Sequence, residues 1–328
     1  MSVTAPVVSV VLPTYRRPDA LRRALTALAA QEWLAAPWEI VVVDNDRQCS
    51  ARSAVESADP GPALAIRYVA EAAAGAGAAR NAGIRAARGE VIAFCDDDVE
   101  PSPNWLGELV GPILDGNADG VAGRVELDWD EVGMPPWLPP AFASYLAYFA
   151  PYDADTELGP TDYLLTANAA LRADLLRKIG GFDPVLGPRR GMPIVNDDVD
   201  LYRRFRSAGG RMRYRPSAVV VHELPASRLR RSYFLKRLYG QGRADFLLER
   251  TWLVRTTSRG LKAGVYQLCD DLRALRRGVG SRQTVTLIAC HIARFVGFVR
   301  ESLASFGPRW SGRTPAVTQP MSAPQPPS

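Results

Sequence analysis

Three adjacent carboxylates, Asp96, Asp97 and Asp98, follow directly after an apolar run of strand type, Val91–Cys95. Like charges side by side raise one another's pKa unless a cation lies among them, and at a strand end that cation is usually a metal. Oxygen ligands suit a hard ion such as Mg²⁺ or Mn²⁺, which can also neutralise a diphosphate and help it to leave. The alternative is an acidic turn that caps the next helix.

Other polar residues stand where a ligand could approach the backbone closely. Arg80 and Asn81 lie on a predicted helix that is entered through the small residues of 72–79, and the fork of Arg80 can bind a phosphate or a base. The first predicted strand ends in a polar turn at 13–15. The second ends in Asp44, whose carboxylate can accept a hydrogen bond from a nucleobase or a ribose. The alternative for Arg80 is a solvated helix surface.

The segments that must position these residues alternate between strand and helix. Apolar runs predict strands over 7–12, 39–43, 66–69 and 91–95, and runs of helical composition predict helices over 19–30 and 76–87. This order predicts an α/β fold with a mostly parallel sheet covered on both faces, whose ligands bind at the carboxyl ends of the strands. The informative polar residues fall at those ends.

The rest of the chain continues the pattern and then changes character. We predict helices over 105–114, 171–178 and 197–208, and strands over 120–127 and 218–221. The loop 135–152, rich in Pro, Trp, Phe and Tyr, could form an apolar wall for a sugar or lipid acceptor, or could pack over the sheet edge. Residues 228–306 are predicted to be helical and basic, and 311–328 to be disordered.

Charge divides the chain unevenly. The net charge is +5, but residues 225–328 hold 18 Lys+Arg against 5 Asp+Glu, which leaves 22 against 30 for residues 1–224. We therefore expect a catalytic domain over 1–224, a basic helical extension over 225–310 and a tail over 311–328. The extension carries most of the excess positive charge and favours an anionic lipid surface, at roughly 1 kcal/mol per cation. A solvated basic face or an oligomer contact is the alternative.

Composition excludes several classes of protein. An apolar fraction of 47% excludes wholesale disorder, and the four cysteines form no C-x-x-C pair, which excludes a zinc ribbon or a dithiol redox motif. The apolar segment 284–299 is interrupted by His291 and Arg294 before it reaches the roughly 20 residues that span a bilayer. No basic region precedes the first apolar run, as it would in a signal peptide, so we expect a cytoplasmic protein.

Five pieces of the sequence, in this order and spacing, resemble one known family. They are VSVVLPTYRRP, EIVVVDND, GAARNAGIRAARGEVIAFCDDDV, LTANAALRADLLRKIGGFD and NDDVDLYRRFRSAGGRMRYRPSAVVVHE. Over about residues 7–250 the chain resembles glycosyltransferase family 2, the inverting enzymes of the GT-A fold. The resemblance implies a Rossmann-like α/β domain with a mixed sheet flanked by helices. It also implies metal-dependent transfer of a sugar from a nucleoside diphosphate donor, with UDP or dTDP favoured, to an acceptor hydroxyl.

The resemblance also implies roles for particular residues. Asp198 would be the general base, since a carboxylate with a shifted pKa can take the proton of an acceptor hydroxyl. Asp98 and His222 would hold Mg²⁺ or Mn²⁺. The residues implied to bind the nucleotide sugar are Pro13, Thr14, Tyr15, Asp44, Arg80, Asn81, Asp96, Asp97, Asn168 and Asp197. Without the resemblance, Asp197 and Asp198 could simply stabilise a helix N-terminus, and a lone histidine at a strand end is more often structural.

Other functions fit the residues less well. A non-catalytic nucleotide-sugar binding module that recruits partners through its basic helices would not need both Asp98 and Asp198. Nucleic acid is not expected as a partner, because the aromatic residues lie mostly outside the basic half and no RNA- or DNA-binding motif is present. A dinucleotide oxidoreductase would carry G-x-G-x-x-G after its first strand. The expected acceptor is a saccharide, a glycolipid or a small molecule in envelope or natural-product synthesis, and the expected location is the cytoplasm or the inner face of the cell membrane.

Overall fold

The described residues form a nine-stranded mixed β-sheet flanked by helices. The computed structural model describes residues 5–32, 36–59, 61, 64–129, 133–188, 194–252 and 282–305. The strands are β1 (Val8–Thr14), β2 (Trp38–Asp44), β3 (Ala65–Ala70), β4 (Val91–Cys95), β5 (Val99–Pro101), β6 (Gly120–Leu127), β7 (Thr156–Glu157), β8 (Asn168–Arg172) and β9 (Met212–His222). The α-helices in these ranges are α1 (Pro18–Ala29), α2 (Arg52–Glu56), α3 (Ala76–Ala86), α4 (Trp105–Leu114), α5 (Ala173–Lys178), α6 (Asp197–Ser207), α7 (Arg231–Trp252) and α8 (Arg282–Ala304).

The strand order is β3-β2-β1-β4-β8-β6-β9-β5, and β7 pairs with β9. The first four strands are mutually parallel, so their carboxyl ends meet at one edge, where Thr14 lies opposite Asp44. β8 runs antiparallel to both of its neighbours, β4 and β6, while β9 is parallel to β6. The α/β prediction is confirmed, and the sheet is mixed.

Burial explains why the first strands form where they do. All five residues of β4 are buried, and β1 and β2 are buried almost throughout, which is typical of parallel strands covered on both faces. α3 lies especially close to β1, because a Cβ at Gly83 would collide with the side chain of Val11. Glycine at this position therefore sets the depth at which α3 sits on the sheet.

Two predicted elements differ from the structure. The helix predicted over 171–178 begins at Ala173, because β8 occupies Asn168–Arg172. The strand predicted over 218–221 extends from Met212 to His222, and its first part alternates buried and partly exposed residues instead of forming an apolar run. The short strands β5 and β7 were also not predicted, because two or three residues give no periodic signal.

The basic helices pack on the aromatic loop. Phe234 of α7 contacts Trp137 and Phe142, with ring centroids 5.6 and 5.9 Å apart. A separate buried cluster joins the loop, α7 and α8 through residues such as Leu138, Leu238 and Cys290. The loop thus packs against the helical extension. Among the described residues no helix has the length and apolarity needed to cross a membrane. The predicted tail, 311–328, lies outside the described residues.

Candidate active site

The carboxyl ends of β1, β2 and β4 open onto a cavity of about 620 Å³. Parallel neighbours bring these ends together, and the turns that follow them supply the polar lining. Seven of the predicted residues line this cavity, which is called the donor-side cavity after the donor expected from the sequence: Pro13, Thr14, Tyr15, Arg80, Asp96, Asp97 and Asp98.

The three carboxylates after β4 have different partners. Thr14 Oγ1 donates a hydrogen bond of 2.7 Å to Asp97 Oδ2, and Arg17 bonds to Asp97 and Asp98 at 3.2 and 2.8 Å. Burial raises the pKa of Asp97 to about 6. Burial also disfavours the charge of Asp98, but the cationic groups that face it outweigh this effect and lower its pKa. Asp98 is therefore ionised at neutral pH.

Arg80 of α3 joins the strand ends to the start of α6. Its guanidinium bonds to Asp96 at 2.9 Å and to Asp197 at 3.3 Å, and its side chain is almost fully buried. Burial opposes the charge of Arg80, but the surrounding carboxylates outweigh it and raise its pKa. Arg80 thus lies at the cavity wall and also fixes two acidic residues relative to each other.

The pairing of β5 with β9 places His222 beside Asp98. Val99 and His222 are register partners, and His222 Nε2 lies 3.5 Å from Asp98 Oδ1. Arg228 lies 3.2 Å from both Nε2 and Asp98 Oδ2. Because a guanidinium only donates, Nε2 accepts, and the neutral ring carries its proton on Nδ1, which is buried. Burial lowers the pKa of His222, which favours this neutral form.

These donors fit a hard divalent cation. A carboxylate oxygen and an imidazole lone pair 3.5 Å apart can reach one ion. Within the described ranges no three His, Cys, Asp or Glu side chains are grouped closely enough to hold an ion by themselves. The remaining ligands would come from a bound diphosphate or from water.

Asp198 lies in a second cavity, of about 470 Å³, that adjoins the first. Arg80, Asp96, Pro188 and Arg228 line both cavities. Thr166 Oγ1 donates a 2.6 Å hydrogen bond to Asp198 Oδ1. Burial, with the neighbouring charge of Asp197, raises the pKa of Asp198 to about 7. A carboxyl group with this pKa can exchange a proton near neutral pH.

The local sequence explains how Asp198 is presented. α6 starts at Asp197, and the preceding Asn196 adopts a left-handed conformation with φ of 74°, which asparagine tolerates better than most residues. Asp197, Asp198 and Asp200 occupy the first turn, where the helix dipole favours negative charge. The two interpretations of this acidic pair, helix stabilisation and chemistry, are therefore compatible.

Three predicted residues do not line either cavity. Asp44 is buried and accepts hydrogen bonds from the backbone of Asp46 and Ala51 and from the Tyr68 hydroxyl. Asn81 Nδ2 donates to the carbonyl of Phe182 at 2.9 Å, and Asn81 Oδ1 accepts from the N–H of Phe182 at 2.8 Å. Their placement indicates that they shape the site from behind.

Asn168 is the third of these residues, and it lies in the core. Its side-chain oxygen accepts from Trp105 Nε1 at 2.8 Å, and its nitrogen donates to the carbonyls of Arg124 and Ala218. These bonds use both N–H donors and one lone pair of the amide oxygen. The expectation that Asn168 lines the donor or acceptor pocket is thus corrected to a role in joining α4, β6 and β9.

Sequence reasoning missed several residues that line the donor-side cavity. Asp46, two residues after Asp44, lines it and pairs with Arg16 at 3.1 Å. The dipeptide Arg16-Arg17 directly follows the predicted turn at 13–15 and was a usable signal. No pattern in the sequence indicated Arg228, because this residue belongs to the helical extension and reaches the cavity only in the folded chain.

The family model of glycosyl transferase family 2 matches residues 9–180, more than half of the chain. The chain belongs to glycosyl transferase family 2. It is 31% identical over 232 residues to the succinoglycan biosynthesis protein ExoM of Rhizobium meliloti (strain 1021), across 70% of this chain and 71% of that protein. This membership assigns the described site to a family of sugar-transferring enzymes.

Two further proteins resemble this family 2 member, one in sequence and one in structure. It is 31% identical over 224 residues to the pre-mycofactocin glycosyltransferase of Mycobacterium tuberculosis (strain CDC 1551 / Oshkosh), which covers 66% of the chain but only 42% of that relative's length. Its structure matches the mannosyltransferase PcManGT from Pyrobaculum calidifontis in complex with GDP-Man and Mn²⁺, with a TM-score of 0.60 and 20% identity, over 92% of this chain and 88% of that one. The fold is the GT-A type that the sequence predicts.

Proposed function

We propose that this protein is an inverting glycosyltransferase that moves a sugar from a nucleoside diphosphate to an acceptor hydroxyl. The observation that carries the proposal is the contact between two cavities, one holding the Asp96–Asp98 carboxylates and the other holding Asp198. A donor in the first cavity would present its sugar to an acceptor in the second, where Asp198 can act as the base. The shared wall of Arg80 and Asp96 keeps the two reactants close.

In the donor-side cavity, the turn at Pro13, Thr14 and Tyr15 would hold the base, with Asp46 as a hydrogen-bond acceptor. We favour a UDP- or dTDP-sugar, although the structural neighbour binds GDP-Man. Asp98 and His222 would hold Mg²⁺ or Mn²⁺, which when bound neutralises the diphosphate. Arg17 and Arg228 now contact the same carboxylate and would move toward the diphosphate oxygens.

The chemical step would be a single displacement. Asp198 accepts the proton of the acceptor hydroxyl while that oxygen forms a bond to the anomeric carbon. The bond from this carbon to the diphosphate oxygen breaks on the opposite face, so the configuration inverts. Arg80 acts as a positioning residue, since it holds Asp96 and Asp197 in place, and the step is accelerated mainly by orientation and charge stabilisation.

The relatives suggest settings for this reaction. ExoM is named for succinoglycan biosynthesis, and the mycobacterial relative for glycosylation of pre-mycofactocin. We place the chain in the synthesis of a cell-envelope polysaccharide, a glycolipid or a glycosylated natural product.

Calorimetric titration of the full chain with UDP, dTDP and GDP, each with and without Mn²⁺, tests the proposal. We expect one nucleotide to bind, and its affinity to rise at least about tenfold with the ion. Asp98→Asn should remove this dependence, while Asp115→Asn, a change of an exposed carboxylate away from the donor-side cavity, should retain it. Failure of all three nucleotides to bind, or equal affinity with and without Mn²⁺ in the unsubstituted protein, would contradict the proposal.

We also propose that the basic extension meets an anionic membrane surface on the cytoplasmic side. Residues 225–328 hold 18 Lys+Arg against 5 Asp+Glu. On α8, Val285, Ile292, Val296 and Leu303 are exposed, and their spacing of seven, four and seven residues places them along one face. An apolar face on a positively charged segment is typical of helices that lie in the membrane interface.

A further inference from the structure

Among the described residues, one guanidinium in the second cavity forms no ion pair. Four arginines line this cavity, and three of them form ion pairs: Arg80 with Asp96 and Asp197, Arg228 with Asp98, and Arg294 with Asp245. The fourth, Arg237 of α7, has no carboxylate oxygen within 4 Å in the part of the chain that the structure describes. Arg237 is therefore the arginine of this cavity that forms no ion pair within the described residues, and Asp197 and Asp245 act on it only from a greater distance.

The direct contacts of Arg237 are polar or aromatic, and the carboxylates of Asp197 and Asp245 lie beyond ion-pair distance. Its guanidinium donates a 2.9 Å hydrogen bond to Gln241 Oε1 and lies 5.7 Å from the ring centroid of Tyr145. Burial lowers its pKa, in contrast to the ion-paired Arg80 and Arg294. Arg237 is half-buried and lines the cavity, so the N–H groups that do not bond to Gln241 are available to an anion.

We propose that the acceptor carries an anionic group, a phosphate or a carboxylate, which binds to Arg237 while the attacking hydroxyl reaches Asp198. This inference rests on the proposed function, because it takes the second cavity as the acceptor site. A neutral saccharide would leave Arg237 without a direct ionic partner, whereas an oxyanion can form a bidentate, charge-assisted pair with its fork. Tyr145 and Tyr233, in the same cavity, can pack on the neighbouring sugar ring or chain.

Matched pairs of small probes test this proposal on the full chain. Glycerol is compared with glycerol 3-phosphate, and glucose with glucuronate, by calorimetric titration in the presence of saturating UDP and Mn²⁺. We expect the anionic member of at least one pair to bind about tenfold more tightly than its neutral partner. The pair that shows the difference distinguishes phosphate from carboxylate.

Variants assign the preference to one side chain. Arg237→Gln should bring the ratio of affinities close to one, and Arg237→Lys should keep part of it. Arg300→Gln removes an exposed charge on α8 that does not line the cavity, and should leave the ratio as it is in the unsubstituted protein. If the circular dichroism spectrum shows that Arg237→Gln is not folded, Arg237→Lys is compared with the unsubstituted protein instead. Its ratio of anionic to neutral probe affinity should then be reduced but remain above one.

Two results would overturn the proposal. One is equal binding of the neutral and anionic members in both pairs, and the other is an anion preference that persists unchanged in both Arg237 variants. Turnover of a nucleotide-sugar donor, followed in parallel samples without added UDP, separates the possible failures. Donor turnover without any anion preference would contradict only the acceptor assignment. Absence of nucleotide binding and turnover would contradict the proposed function, while the probe titration would still report on Arg237.

Discussion

At the residue scale, the acidic side chains of the site differ because their neighbours differ. Burial raises the pKa of Asp97 to about 6 and that of Asp198 to about 7, whereas cationic neighbours lower the pKa of Asp98 despite its burial. One carboxylate thus remains charged for a cation, while another can exchange a proton near pH 7. Their surroundings thus suit the same residue type to two kinds of chemistry in adjoining cavities.

The pKa of Asp198 predicts how activity depends on pH. The base must be ionised, so the rate should fall as pH decreases through about 7 and reach a plateau above it. The hydroxyl of Thr166 stabilises the carboxylate, and Thr166→Val should move this acid limb to higher pH. Thr26→Val, on the exposed face of α1, serves as the control. A pH–rate profile unchanged by Thr166→Val would contradict the assignment of the limb to Asp198.

The sequence predicted correctly that the carboxylates after β4 line the cavity, but it did not predict that Asp44, after β2, is buried beneath the surface of the cavity. Asp96, Asp97 and Asp98 could be located from the apolar run before them, and they line the cavity. Asp44 follows the same rule, yet the chain bends back and its oxygens bond to backbone N–H groups up to seven residues later. Sequence spacing does not reveal that bend.

At the scale of elements, the site depends on how closely α3 approaches β1. Arg80 and Gly83 lie on this helix, so the contact that seats Gly83 on Val11 also sets the position of the Arg80 guanidinium. Arg80 then fixes the first turn of α6 through Asp197. Asn81 adds a second connection, to the backbone of Phe182.

Substitution of Gly83 tests this packing. Gly83→Ala should destabilise the protein by about 1–3 kcal/mol, because the added methyl collides with Val11. Gly111→Ala on α4 is the matched control and should change stability little, since its added Cβ would meet no atom within 4 Å. The free energy of unfolding in urea measures both. Equal stability of the two variants would show that α3 can shift without cost.

The strands predicted best from the sequence are those that are mostly apolar along their length. Strands β1, β2 and β4 are continuous apolar runs, and their bounds agree with the prediction to within two residues. β8 could not be separated from the start of α5, because NAALR is compatible with either state. His222 meets Asp98 only through the short strand β5, so a family resemblance could imply this pairing, whereas the spacing of the two residues could not reveal it.

At the scale of the whole molecule, the helical extension contributes to the site as well as carrying charge. Arg228, Tyr233, Arg237 and Arg294 from this part line the second cavity. The division predicted at residue 224 therefore follows charge, while residues from both sides of it line the second cavity. Charge counting along the sequence could reveal the basic segment but not which of its arginines face inward.

The exposed face of α8 gives a prediction about membranes. The full chain should sediment with phosphatidylglycerol vesicles and much less with phosphatidylcholine vesicles. Replacing Ile292 and Val296 together by Asp should weaken this binding roughly tenfold or more. Val185→Asp, at a similarly exposed valine outside the extension, should have no effect. Equal sedimentation with both lipids, or no loss in the double variant, would exclude this face as the contact.

The central claim is that Asp198 is the base for an acceptor that binds beside the nucleotide sugar. The measurement that tests it most directly compares Asp198→Asn with the unsubstituted protein in donor binding and in glycosyl transfer. We predict that transfer falls by about 10²–10⁴-fold while the affinity for the nucleotide with Mn²⁺ remains within a factor of about three. Retained transfer in a correctly folded Asp198→Asn protein, or loss of donor binding in place of loss of transfer, would contradict the account.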